Sequence, residues 1–390
     1  MLKIAVDATC IRNQLSGVGY YTLNLLKALT VLQESENFQL SVYFQPSVKN
    51  WLRGNWQRDG NLNGFEPVYC IPIPVSVTSL LFGWGQGLLA AWEPNLNHPD
   101  LVQGSDHFIY PCRYSCNLLT IHDLNFLKYP QWVPRQVKNY QARLEKCLPW
   151  ADGILTFAES TKSDLITLWG VSPDKIYVTP QASRYQGNSL TDIQIASLQQ
   201  DIPYNFAHPY FLFVGTLEPR KNVIGLIAAF NRFKKYSDSN HHLVLIGQLG
   251  WQYQPILKAI ADSPYHQHIH HLNYLPESWL EVFYRRAIAF VYPSFYEGFG
   301  LPVLEAMNFA CPVITSARAS LPEVTGDSAL LIDPQDLDTL TAAMFLLAQD
   351  EGLRQNWAAK ALQRSRDFSW AQTGRKTLEV YRRLLEKKLH

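Results

Sequence analysis

Short apolar runs rich in β-branched and aromatic residues recur along the chain, separated by longer stretches in which apolar positions return every three or four residues. Residues 3–7 read as a strand, followed by a loop with Ser16, Gly17, Val18 and Gly19 and a helix over 20–32 with Leu23, Leu26, Ala28 and Leu29 on its apolar face. Residues 38–44, 118–123, 154–158 and 176–179 read as further strands, with a helix near 160–169. Such alternation predicts an α/β fold, with a parallel sheet and crossover helices. After Pro180 the pattern stops. Residues 181–209 are polar, rich in Gln, Asn and Ser, and read as a linker with room for one short helix. The same grammar then restarts: strands over 210–214, 243–246 and 289–292, and a helix from about Val223.

Residues 67–92 carry no charge across 26 positions. Pro67, Pro72, Pro74, Gly83, Gly85 and Gly87 interrupt them, so a spanning helix is not expected. A buried strand over 68–73 and a helix over 78–92 are expected instead. That helix either packs in the ordinary way or turns an apolar face to a lipid surface or an apolar acceptor.

With 390 residues, the chain exceeds one ordinary core and suits two domains of roughly 150 to 200 residues each. Up to Tyr185 there are 15 Lys and Arg against 14 Asp and Glu, and beyond it 19 against 19, so neither half has the basic excess of a nucleic-acid binder. The six cysteines sit in apolar surroundings. Only Cys112 and Cys116 are close, so buried thiols in a reducing cytoplasm are expected rather than zinc. The start, MLKIAVDATC, reads as the first strand and not as a signal peptide.

The candidate chemistry centres on residues 290–312. A buried strand breaks at Gly298 and Gly300 into a helix with Pro302 in its first turn. Strand, turn and helix N-terminus make a cup of backbone N–H groups suited to an anion. Glu297 and Glu305 flank the cup and can face two parts of one ligand, although a glutamate in a first turn also simply complements the dipole. Arg220 and Lys221, beyond the strand over 210–214, suit a diphosphate or are solvated charges. His122 and Asp123 end another strand, where open α/β sheets line a ligand crevice; a lone histidine is as often structural. His266, His268, His270 and His271 cluster, and alternation puts three on one strand face. No carboxylate or cysteine joins them, so no metal is expected there. Asp336 and Asp338 form an Asp-x-Asp, an arrangement that can hold a divalent metal, but at an apparent helix start they read as a helix cap.

Together these residues resemble the retaining glycosyltransferases of family 4. The likeness spans almost the whole chain through the Gly17–Gly19 loop, His122-Asp123, VGTLEPRKN (214–222), IGQLGW (246–251), PSFYEGFGLPVLEAM (293–307) and SLPEVTGDSALLIDP (320–334). Most specific is the Glu-x7-Glu motif from Glu297 to Glu305. The resemblance implies the GT-B architecture: two facing Rossmann-like domains with mostly parallel sheets and a ligand cleft between them. Residues 1–184 would be the acceptor domain and 207–371 the nucleotide-sugar donor domain, with a last helix over about 372–390 packing back on the first.

The resemblance also implies roles. Arg220 and Lys221 would hold the diphosphate, helped by the backbone near Gly17 and by Gly300 and Leu301, with Gly19, Gly215, Thr216 and Phe299 also in the donor site. Glu297 would contact the donor sugar, Glu305 the ribose hydroxyls, and Tyr274 and Leu275 the base, with His122 beside the transferred sugar. Thr216 and Tyr20 stand where relatives often have Arg, and Gln181-Ala182 where Asn-Gly is usual. The expected activity is metal-independent, retaining transfer of a hexose from a nucleotide diphosphate sugar to a glycan or lipid-linked saccharide, without cofactor and without nucleic acid. It would take place in the cytoplasm, with peripheral contact at the inner face of the membrane. UDP-glucose is slightly favoured over GDP-mannose as donor. An epimerase, a phosphorylase and a catalytically silent nucleotide-sugar-binding scaffold are the competing classes.

Overall fold

The apolar runs become the strands of two all-parallel sheets. This computed structural model describes residues 1–389 other than 14, 82–88, 90, 134–137 and 186–189. One unit comprises Met1–Leu127, Arg135–Gln181 and Trp370–His390, the other Lys128–Pro134 and Ala182–Ser369.

In the first unit, β1 (Leu2–Asp7), β2 (Phe38–Phe44), β3 (Val68–Cys70), β4 (Leu101–Gly104), β5 (Cys116–Thr120), β6 (Gly153–Thr156) and β7 (Ile176–Val178) lie in the order β3-β2-β1-β4-β5-β6-β7. The inner strands β4, β5 and β6 are buried along their whole length, as expected of parallel strands covered on both faces. Helix α1 (Gly17–Glu36) turns Tyr21, Leu25, Leu26, Leu29 and Leu32 inward. The last helix, Trp370–Leu389, belongs to this unit: Gly374 lies against Ala28 and Leu32, Arg382 pairs with Glu36 at 2.9 Å, and the Tyr381 hydroxyl donates to Gln103.

In the second unit, β8 (Tyr210–Val214), β9 (His242–Ile246), β10 (Ile269–Leu272), β11 (Ala289–Tyr292), β12 (Val313–Ser316) and β13 (Leu330–Ile332) lie in the order β10-β9-β8-β11-β12-β13. Flanking helices include α2 (Val223–Ser237), α3 (Glu277–Arg286) and α4 (Leu301–Asn308). The strand order reverses between β8 and β11, as it does between β1 and β4 in the first sheet. Each reversal opens a crevice at the carboxyl ends of the strands.

Several sequence expectations need correction. The Gly17–Gly19 segment is the first turn of α1 rather than a loop, because Ser16 caps the helix by accepting from the Gly19 N–H at 3.3 Å. The strand expected over 68–73 stops at Cys70 and is a half-buried edge strand. The helix expected over 78–92 is Val75–Leu81, and residues 82–88 and 90 of that expectation lie outside the described residues. His266–His268 form a 3-10 turn ahead of β10, so the cluster does not share a strand face. As expected, the polar 181–209 stretch holds a short helix, Asp192–Asp201, with a capping box from Thr191 and Gln194. Asp336 caps the helix Leu337–Gln349. Among the described residues no helix is long and apolar enough to cross a membrane.

Candidate active site

At the switch point of the second sheet, the turn after β8 meets the turn after β11. Pro219–Lys221 form a 3-10 turn, and Asn222, left-handed at φ 56°, redirects the chain into α2. The turn points Arg220 and Lys221 inward, so the reading of solvated surface charges fails. Arg220 donates to Glu218 Oε1 through Nε and Nη2 (3.1 and 2.7 Å) and to the Tyr296 carbonyl, with Nη1 2.9 Å from Glu297 Oε2. Lys221 Nζ donates to Glu297 Oε1 at 2.6 Å and to the Tyr292 hydroxyl at 2.5 Å, and Ser294 Oγ also donates to Glu297 Oε1 at 2.6 Å. Two cations thus face two carboxylates in a buried, neutral set.

Burial alone would raise the Glu297 carboxyl, but Arg220, Lys221 and the donors at its oxygens hold it down at about 2. Burial and then the neighbouring Arg220 lower Lys221, against the pull of Glu297 and Glu218. An anion reaching these cations would have to exchange partners with Glu297, rather than meet bare charge.

Helix α4 begins beside this set. Gly300 precedes it at φ 106°, and a Cβ there would stand 2.7 Å from Leu321 Cδ2, so only glycine fits this turn. No side chain caps the helix, and Ser320 Oγ secures the turn by donating to the Glu297 and Phe299 carbonyls at 2.9 and 2.8 Å. Glu305 lies in the second turn of α4, not the first, and is 3 % exposed. Its Oε2 accepts from Arg184 Nη2 at 3.1 Å and from the Tyr284 hydroxyl at 3.2 Å, while Arg184 Nε is 2.8 Å from Oε1. The reading of Glu305 as a mere complement to the dipole does not account for these partners. Gly215 and Thr216 follow β8, and Tyr274 and Leu275 follow β10, with Tyr274 50 % exposed. All nominated residues of this unit therefore follow the carboxyl ends of its strands, except Leu301 and Glu305, which α4 carries.

In the first unit His122 follows β5, half-buried among Tyr21, Phe157 and His107. Its Nε2 donates to the Ser105 carbonyl at 2.7 Å, and burial followed by the charge of His107 lowers its pKa to about 4. A neutral ring with its proton on Nε2 leaves Nδ1 as an acceptor. His107, left-handed at φ 49°, lies between Asp106 (3.4 Å) and the Asp123 carbonyl (3.2 Å). Burial opposes its protonation, but Asp106 prevails and raises its pKa. Asp7, at the end of β1, is pushed by burial up to about 7 although Thr9 donates to it.

Sequence reasoning missed Asp106, His107, Glu218, Tyr292 and Arg184. Asp106 and His107 follow the end of β4 as His122 follows β5, but Gln103 conceals that strand in the sequence. Among the described residues no group of three His, Cys, Asp or Glu side chains is arranged to hold a metal.

Residues 198–364 match the family model described as glycosyl transferases group 1. Over 98 % of this chain and 100 % of the relative, it is 32 % identical to O-antigen chain mannosyltransferase B of Escherichia coli. The chain belongs to the group 1 glycosyl transferases. This glycosyltransferase is also 28 % identical to O-antigen chain mannosyltransferase RfbU of Salmonella typhimurium, over 56 % of its own length and 57 % of the relative. In fold it is similar to sucrose-phosphate synthase from Thermosynechococcus elongatus, with a TM-score of 0.72 at 19 % identity over 99 % of this chain and 100 % of that one. Its two parallel-sheet units have the GT-B architecture. The span matched by the family model holds Arg220, Lys221, Glu297 and Glu305, whereas Gly17, Gly19 and His122 precede it.

Proposed function

We propose that this glycosyltransferase moves mannose from GDP-mannose to a saccharide or lipid-linked saccharide in the assembly of a cell-surface polysaccharide, with retention of anomeric configuration and without a metal. The observation that carries the reading is full-length similarity to an O-antigen chain mannosyltransferase. It favours mannose over the glucose from UDP-glucose that the sequence slightly preferred. The same acceptor class supports work at the inner face of the membrane.

The chemistry rests on charge. Cleaving the sugar–phosphate bond builds negative charge on the departing phosphate, and Arg220, Lys221 and the N–H groups at the start of α4 stabilise it. These groups take the part a divalent cation would otherwise play. Glu297 orients the sugar and remains ionised; the leaving phosphate takes the acceptor proton, so no covalent sugar–enzyme bond is required. Glu305 meets the ribose, Tyr274 and Leu275 the base, and His122 the transferred sugar through Nδ1.

A thermal-shift screen with GDP, UDP, ADP, GDP-mannose and UDP-glucose, with and without EDTA, tests the reading. A selective shift with GDP and GDP-mannose that survives EDTA is expected. A selective UDP-glucose shift refutes the donor, loss of the shift in EDTA refutes metal independence, and no shift with any nucleotide refutes the reading as a whole.

A further inference from the structure

Arg184 belongs to the polar stretch read as a linker, yet its guanidinium reaches Glu305, 121 positions away. The two side chains meet side-on, with one hydrogen bond and one close charge contact. Nη2 and the Tyr284 hydroxyl occupy Oε2, and Nε stands 2.8 Å from Oε1. The guanidinium is itself held: its carbon lies 5.1 Å above the Tyr185 ring, and Nη1 is 3.6 Å from Glu277 Oε1. A carboxylate has about four lone-pair sites. With two donors on Oε2, the remaining capacity is concentrated on Oε1.

A point charge would neutralise Glu305 equally well. A planar guanidinium does more, because a nitrogen against each oxygen restricts the plane of the carboxylate as well as neutralising its charge. The Tyr284 hydroxyl reinforces that orientation. We infer that Arg184 is a positioning residue for donor recognition, holding Glu305 so that Oε1 accepts a ribose hydroxyl of the bound nucleoside diphosphate. This rests on the reading of Glu305 as the ribose contact.

Calorimetric binding of GDP, 2′-deoxy-GDP and 3′-deoxy-GDP to the full chain tests it, with the uracil series run in parallel so that the ratio is read on whichever base binds. The wild type is expected to prefer the ribonucleotide over one of its deoxy analogues by roughly tenfold or more, the range for a hydrogen bond to a charged group. Arg184→Lys keeps the charge and loses the planar two-nitrogen contact, so it should bring that ratio close to one, as Glu305→Gln does. KM for the donor should rise more than kcat falls.

If Arg184→Lys weakens ribo- and deoxynucleotides by the same factor, Arg184 merely neutralises a buried charge and the inference is overturned while the proposed function stands. If the wild type shows no preference, or Glu305→Gln keeps it, the ribose reading falls and the inference with it. Failure of both base series to bind overturns the proposed function as well. Should Arg184→Lys not fold, Tyr284→Phe removes only one donor to Oε2 and should lower the ratio by a smaller factor; an unchanged ratio there counts against the inference.

Discussion

Replacing Glu297 by Gln separates the two tasks assigned to that carboxylate. In the wild type it closes a buried set of four charges, with its carboxyl held at about 2 against an ordinary 4.5. A shift of that size corresponds to about 3 kcal/mol of stability, before the burial cost of Lys221 is set against it. Because the pKa is depressed, this stability is fully present above pH 4.5 and is lost as pH falls towards 2. Gln keeps the shape and the Ser294 contact but leaves Arg220 and Lys221 with one uncompensated positive charge beside Glu218. The expected cost is at most about 3 kcal/mol at pH 7, a fall in melting temperature of roughly 6–12 °C for a unit of this size. The gap to wild type should narrow below pH 4.5. Turnover should fall by roughly 100-fold as the cations and the donor sugar lose their register. GDP affinity should stay within roughly threefold, because the vacated cations still attract phosphate. Initial rates of GDP release give kcat, and calorimetry gives the GDP Kd. Parallel loss of both would move Glu297 from the sugar to the nucleotide and refute the reasoning.

Lys221→Ala removes one of the two cations proposed to hold the departing phosphate and strands Glu297 on Arg220 and Ser294; kcat/KM should drop by roughly 100- to 1,000-fold, and near-normal kinetics would contradict the role. The Asp106–His107 pair stabilises the first unit between the ordinary pKa of the aspartate and the raised pKa of the histidine, where both are charged; this contribution is complete below pH 6.5 on the histidine side and is lost as pH rises through the raised value. Asp106→Asn should therefore lower the urea midpoint more at pH 5.5 than at pH 8.5, and an equal loss at both would assign Asp106 a role independent of charge. Gly300→Ala meets both a left-handed φ and Leu321 Cδ2 at 2.7 Å, so it should cost about 1–3 kcal/mol in denaturant unfolding; a Leu321→Ala partner change should recover only the steric part.

What the sequence made legible was whatever is local. Strand, glycine turn and helix follow one another within a few positions, so Glu297, Gly300 and the start of α4 could be placed from residues 290–312 alone. The same grammar placed Arg220 and Lys221 at a strand mouth. What it could not supply was the partner of each charge, since Glu297 lies 76 positions from Lys221 and Glu305 121 from Arg184. Composition at Gly17 and Gly19 argued for a loop, yet one Ser16 cap and the apolar face beyond outweigh the helix penalty of two glycines at a first turn. Gln103 broke the apolar pattern of β4 and hid the strand; it is buried because Thr120 and Tyr381 satisfy its amide, and both are remote in sequence. With that strand hidden, His107 and Asp106 had no strand end to mark them. The omissions have one physical origin: a buried polar group is stable only with its partner, and the partner is chosen by the fold. A polar residue inside an apolar run, or an arginine in an apparent linker, is therefore a place where long-range pairing is concealed. In this chain such a place is Arg184, whose effect on donor binding Arg184→Lys can measure.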